Sequence, residues 1–124
     1  MKIAMKKILL VDDDPLVLKS LKKAVELNGY EVIPAGGYDD ACEAIRNADF
    51  DLVLSDIRMP NKNGVETVEA IQSALLKAGK RDLPIIFITG YSGDEAKLNA
   101  EFYGETLYKP VDLEKLLITI REYL

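Results

Sequence analysis

The polar residues best placed for chemistry each follow an apolar, strand-like run. They are Asp12, Asp13 and Asp14 after the first run, Asp56 after the third, Thr89 at the end of the fourth and Lys109 after the fifth. Carboxylates that converge repel strongly, which raises at least one pKa unless a cation intervenes. A hard divalent ion is the economical remedy, and Mg²⁺ typically takes one or two carboxylates, several waters and a substrate phosphate. These residue types predict an acidic metal site that faces a hydroxyl and an ammonium.

Two of these residues also have simple structural interpretations. Asp14 precedes Pro15, which predicts a helix with Asp14 as its N-cap. Only one of three consecutive acids can cap that helix, so Asp12 and Asp13 keep the functional interpretation. Lys109 would ordinarily be a solvated surface charge, but it precedes Pro110, and X-Pro is the common site of a cis peptide, which would aim the lysine inward.

Apolar runs alternate along the chain with segments of helical period. The predicted strands are Lys7–Val11, Tyr30–Pro34, Leu52–Ser55, Pro84–Thr89 and Thr106–Tyr108. The predicted helices run from Pro15 to a stop at Gly29, over Tyr38–Asn47, Gly64–Ala78 and Asp94–Phe102, and from Asp112 to Leu124. Alternation of this kind predicts a doubly wound α/β fold, a parallel sheet with helices on both faces. Sites in such sheets lie outside the carboxyl ends of the strands, where the candidate residues fall.

Composition excludes several classes of function. The 124 residues suit one domain, and a net charge of −5 disfavours binding to a nucleic-acid backbone. No apolar run is long enough for a membrane span or a signal peptide, and the single cysteine, Cys42, fits a reducing cytoplasm. The absence of histidine excludes Ser-His-Asp triads, histidine-based zinc sites and phosphohistidine carriers.

From Lys7 to the last predicted helix, the sequence resembles the receiver domains of two-component response regulators. The motifs are Ile8 to Pro15 (ILLVDDDP), Asp56 to Pro60 (DIRMP) with Gly64, Thr89-Gly90 and Lys109-Pro110. The resemblance implies one receiver domain over residues 1–124. It also implies a flavodoxin-like (βα)₅ fold, with a five-stranded sheet in the order 2-1-3-4-5 between two helix layers.

The resemblance also assigns a role to each site residue. Asp56 would be the phosphoacceptor, and Asp12 and Asp13 would hold Mg²⁺ or Mn²⁺ together with Asp56 and the backbone carbonyl of Arg58. Thr89 and Lys109 would bind phosphoryl oxygens. Such a domain is not an enzyme acting on other substrates, because it promotes only its own phosphorylation and dephosphorylation.

Two departures from the family pattern lie in the region that usually transmits activation in receiver domains. Thr106 stands where receivers usually carry an aromatic residue, and Tyr108 lies on the same side of an ideal strand and is the available substitute. The segment from Thr89 to Lys109 is also shorter than expected. By resemblance, Arg58 and Tyr91 modulate the lifetime of the phosphoryl group.

The implied partners are proteins. The donor would be a sensor histidine kinase or a histidine phosphotransfer domain. The output would be a downstream protein target or a covalently linked domain absent from this chain, with phosphorylation-dependent dimerisation as a further outcome. The resemblance places the partner face on the fourth helix, fifth strand and fifth helix. Direct binding to nucleic acid or a membrane is not expected, and the expected location is the cytoplasm.

Three other functions remain open. A flavodoxin-like cofactor carrier would need a phosphate loop rich in glycine and hydroxyl groups, where this chain has Asp12 to Asp14. A phosphatase with an aspartate nucleophile usually has that residue after the first strand and needs additional chain for a cap. A receiver-like binding module that does not need phosphorylation is the main alternative, which the departure at Thr106 keeps open.

Overall fold

A computed structural model describes residues 5–90 and 100–124 of the chain. The strands of this part are β1 (Lys7–Val11), β2 (Glu31–Ala35), β3 (Leu52–Asp56), β4 (Ile85–Thr89) and β5 (Glu105–Tyr108). The helices are α1 (Pro15–Glu26), α2 (Tyr38–Asn47), α3 (Gly64–Lys77) and the C-terminal helix (Leu113–Tyr123). The strands are parallel and lie in the order β2-β1-β3-β4-β5, which confirms the predicted doubly wound fold.

The sheet has a hydrophobic core on each face. Alternate strand residues face opposite sides, so Leu9 and Phe87 lie in one cluster while Ile8 and Ile86 lie in the other. The first cluster contains the buried faces of α2 and α3, and the second contains those of α1 and the C-terminal helix. Strands covered on both faces explain why the sequence shows continuous apolar runs instead of alternation.

Local signals set the start of the first helix as predicted, whereas its end lies three residues before the predicted stop at Gly29. The Asp14 carboxylate accepts a hydrogen bond from the Leu16 N–H at 2.9 Å, and Pro15 is the first helical residue. The helix ends at Glu26, and Gly29 follows with a φ of 94°.

Most predicted boundaries agree with the structure to within one residue. The second strand is displaced by one position, since it begins at Glu31 and includes Ala35. The predicted fourth helix falls mainly on residues 91–99, which lie outside the described residues, as does Tyr91; residues 100–103 are helical. Among the described residues, no helix has the length and hydrophobicity that a membrane span requires.

Candidate functional site

Three predicted carboxylates converge at the carboxyl edge of the sheet. One carboxylate oxygen each from Asp12, Asp13 and Asp56 lies within 4.8 Å of the others. They meet because β1 and β3 are neighbours, with Val11 paired to Ser55. Asp12 is 2% exposed and Asp56 is 6% exposed, whereas Asp13 is exposed to solvent. The site therefore has two buried carboxylates and one at its mouth.

Lys109 bridges the two buried carboxylates. Its Nζ lies 3.2 Å from Asp12 Oδ2 and 3.3 Å from Asp56 Oδ2. Its backbone N–H donates to the Thr89 carbonyl at 2.8 Å, and the Lys109–Pro110 peptide is cis, as the X-Pro pair suggested. Partial burial lowers the pKa of this ammonium, but the charges of Asp56 and Asp12 outweigh burial, so the net shift is upward. The sequence analysis placed an ammonium opposite the acids but did not predict that Lys109 contacts both buried carboxylates.

Asp56 is in an unfavourable environment for an anion. Burial raises its pKa most, and the neighbouring charge of Asp12 raises it further. The Lys109 ammonium and the Arg58 N–H, which donates to Asp56 Oδ1 at 3.3 Å, oppose these effects without cancelling them. The pKa of Asp56 therefore lies above its ordinary value.

The donor set fits a hard divalent cation. Three carboxylates against one ammonium leave an excess of two negative charges, and the carboxylate ligands offer only oxygen. Mg²⁺ prefers oxygen donors and commonly retains waters, so the exposed position of Asp13 suits it. The residues therefore fit the magnesium ion that the sequence predicted.

Neighbouring backbone groups hold the buried carboxylates. Asp12 Oδ1 accepts the Asp14 N–H at 2.9 Å, and Asp14 itself caps α1 and takes no part in the cluster.

After β3, the Gly64 N–H donates to the Ile57 carbonyl at 2.7 Å. A β-carbon at Gly64 would lie 2.0 Å from the Asp56 carbonyl oxygen, so only glycine allows α3 to approach the strand this closely.

This geometry agrees with the comparison of the chain with known proteins. The family model described as "Response regulator receiver domain" matches residues 8–121. The chain belongs to the response regulator receiver domain family. It is a receiver domain of a response regulator, with the carboxylate cluster at the carboxyl edge of its sheet.

Individual relatives of this receiver differ in length. It is 36% identical over 119 residues to the transcriptional regulatory protein ZraR of Klebsiella oxytoca, covering 94% of this chain. The receiver spans only 26% and 54% of the first two relatives that it matches. By contrast, the polar-differentiation response regulator DivK of Brucella ovis is 27% identical, with 96% of each chain covered.

A solved relative is the response regulator TrrA of Thermotoga maritima, in complex with Mg²⁺-BeF. It is 31% identical to this receiver, with a TM-score of 0.83 and coverage of 97% of this chain and 100% of that one.

The receiver departs from the usual pattern on β5, as the sequence indicated. Thr106 pairs in register with Phe87, and its Oγ1 is buried without a hydrogen-bond partner in the described part of the chain. Tyr108 pairs with Thr89, which is buried, but Tyr108 is 42% exposed. A buried hydroxyl without a partner is unfavourable. A small polar side chain thus occupies the position where an aromatic ring was expected.

Proposed function

We propose that this receiver accepts a phosphoryl group on Asp56 from a phosphohistidine of a sensor histidine kinase or a histidine phosphotransfer domain. The convergence of Asp12, Asp13 and Asp56 within 4.8 Å, with the Lys109 ammonium beside two of them, supports the proposal most directly. A buried carboxylate at a sheet edge with an ammonium beside it is suited to attack a phosphoryl group.

In the proposed transfer, a bond forms between Asp56 Oδ and phosphorus as the bond from phosphorus to the donor's imidazole nitrogen breaks. The electron pair of the broken bond stays on that nitrogen. Lys109 would exchange its contact with Asp56 for a phosphoryl oxygen, and the Thr89 hydroxyl would donate to another. Catalysis is then positioning together with neutralisation of charge, and no residue has to act as a general acid or base.

Asp12, Asp13, Asp56 and the backbone carbonyl of Arg58 would hold Mg²⁺ or Mn²⁺. The ion would supply positive charge that offsets the repulsion between Asp56 and the incoming phosphoryl group. The similar TrrA domain, whose complex contains Mg²⁺-BeF, supports this part of the proposal.

The proposed role is signalling in the cytoplasm, and the chain would change only its own phosphorylation state. Residues 1–124 would form one receiver domain that passes the signal to a protein target or to a linked output domain. The longer relatives favour a linked domain, whereas the coverage of DivK favours a separate target. Phosphorylation would switch contacts at the face of β5 and the C-terminal helix, including dimerisation.

The test is intact mass after incubation with Mg²⁺ and phosphoramidate, a small phosphoryl donor. We expect a gain of one phosphoryl group in the wild type, and no gain in Asp56→Asn or in the presence of EDTA. A folded wild type that gains no mass would contradict the proposal. That result would favour the phosphorylation-independent binding module, the alternative that the departure at Thr106 left open.

A further inference from the structure

The loop between β3 and α3 carries the backbone group that the proposed metal site requires. Arg58 lies near the start of the loop, two residues after Asp56, and the far end is fixed by reciprocal hydrogen bonds. The Glu66 N–H donates to Asn63 Oδ1 at 2.9 Å, and the Asn63 N–H donates to Glu66 Oε1 at 3.1 Å. Between these anchors, residues 60–62 are exposed, and Asn61 adopts a φ of 67°. Within the turn, the Lys62 N–H donates to the Pro60 carbonyl at 2.9 Å, and a contact with another element would restrain the turn further.

Lys62 makes such a contact. Its ammonium lies 5.6 Å from the ring centroid of Tyr38, the first residue of α2, and 4.0 Å from the Glu66 carboxylate. A cation over an aromatic face is attracted by the ring quadrupole, whereas an exposed ion pair at this separation contributes little. The Tyr38 ring therefore anchors the loop to the segment that follows β2.

The contact lies beside the metal cluster. Tyr38 and Lys62 line a cleft of 540 Å³ together with Asp13, the exposed member of the carboxylate cluster. Asp39 and Asp40 also line this cleft. Lys62 thus has two opposite influences on a divalent cation here, since its charge repels the ion while its contact steadies the loop that carries Arg58.

We infer that Lys62, held by the Tyr38 ring, is a positioning residue that keeps the β3–α3 loop in the arrangement that binds magnesium. The inference rests on the proposed function, because it assumes that the acidic site takes Mg²⁺. The change in magnesium affinity that it predicts for loss of Lys62 is opposite to the change expected from charge alone. Removal of a positive charge near the site would by itself strengthen magnesium binding, whereas loss of positioning weakens it.

The experiment is calorimetric titration of the whole chain with MgCl₂. Lys62→Met and Tyr38→Leu should each raise the Kd by about two- to five-fold, the range expected for an exposed cation–π contact. Lys62→Arg keeps the cation and Tyr38→Phe keeps the ring, so both should bind magnesium as the wild type does. Lys77→Met, on the exposed face of α3, controls for the loss of one positive charge.

A double variant tests whether the two residues act together. Lys62→Met combined with Tyr38→Leu should weaken binding no more than either change alone. An unchanged or lower Kd in Lys62→Met and Tyr38→Leu, with normal binding by the wild type, overturns the inference alone. If the wild type itself binds no magnesium, the proposed metal site fails, and the inference fails with it.

Discussion

The carboxylates at the two ends of the sheet differ in how many donors they have. At the amino end, Asp51 Oδ2 accepts the Lys7 N–H at 2.8 Å, and the Asp49 carboxylate lies 2.5 Å from the Lys80 ammonium. Lys80 lowers the pKa of Asp49 through this hydrogen bond and its charge. Each of these two acids has its own donor.

At the carboxyl end, by contrast, the buried acids share one donor. Lys109 contacts both Asp12 and Asp56, and the pKa of Asp56 still rises because burial and Asp12 outweigh the lysine. One end of the sheet is therefore electrostatically satisfied, while the other retains an excess of negative charge that a ligand can relieve. Unfavourable charge of this kind often marks functional sites.

Substitution of Gly64 should have the largest effect on stability. An alanine β-carbon would lie 2.0 Å from the Asp56 carbonyl oxygen, which is backbone and cannot rotate away. We expect Gly64→Ala to lower the free energy of unfolding by about 3 kcal/mol, measured by urea denaturation. At the amino end, Gly79→Ala meets open space but must keep a φ of 72°, so we expect a loss of about 1 kcal/mol. Equal losses would show that moving α3 away from β3 costs no more than the strained backbone at position 79.

Magnesium should stabilise the domain through the carboxyl end alone. At a concentration 100 times its Kd, Mg²⁺ should raise the free energy of unfolding by about 2.7 kcal/mol through mass action. Thermal denaturation with MgCl₂ or EDTA measures the gain. Asp13→Asn should lose most of it, because it removes one ligand, whereas Asp49→Asn should keep it. A gain that survives in Asp13→Asn would place the ion elsewhere.

Asp56→Asn should stabilise the metal-free domain at neutral pH by about 1 kcal/mol, because it removes a buried charge beside Asp12. The raised pKa of Asp56 gives this gain a pH dependence. In the window between the ordinary and the raised pKa, the folded state holds a proton that the unfolded chain has lost. The contribution of Asp56 to the free energy of unfolding of the wild type therefore falls as the pH rises through that window.

The measurement is urea denaturation in EDTA across this pH range. The advantage of Asp56→Asn should shrink as the pH falls through that window and should be lost below the ordinary carboxyl pKa. An advantage that does not change with pH would assign the gain to packing instead of charge.

The smallest effect should come from Asp49→Asn, with the opposite sign. The lowered pKa of Asp49 means that its contribution to stability is present above the ordinary carboxyl pKa and is lost as the pH falls through the folded value. Because the pair with Lys80 is exposed, we expect only a slight loss of stability at neutral pH, one that high salt abolishes. Denaturation at low and high ionic strength measures it; a gain in stability would remove the contrast between the two ends.

Most of the fold could be predicted from local signals. Asp14-Pro15 began α1 as expected, and the apolar runs located all five strands with boundary errors of about one residue. The predicted end of β2 was one residue too early. Ala35 belongs to the strand because it pairs with Val11 of β1. Periodicity does not carry that information, since register is set by the partner strand.

The composition of the candidate site could also be predicted, because parallel strands place their carboxyl ends at one edge. The contacts between residues within the site could not be predicted from the sequence. Lys109 reaches Asp12 across 97 positions of sequence, and the Tyr38–Lys62 contact joins the start of α2 to the β3–α3 loop, whose separation no pattern encodes. The sequence likewise did not show that the Thr106 hydroxyl is buried with no hydrogen-bond partner among residues 5–90 and 100–124.

The sequence by itself determined the α/β architecture, the edge of the sheet at which the acids gather and the kind of ion that they suit. Those features follow from residue type and periodicity, which act locally. Only the tertiary structure decided that Asp12 and Asp56 are buried while Asp13 is exposed, and that one lysine serves both buried acids. Burial and pairing depend on distances between loops that are far apart in the chain, and the packing of helices on the sheet sets those distances.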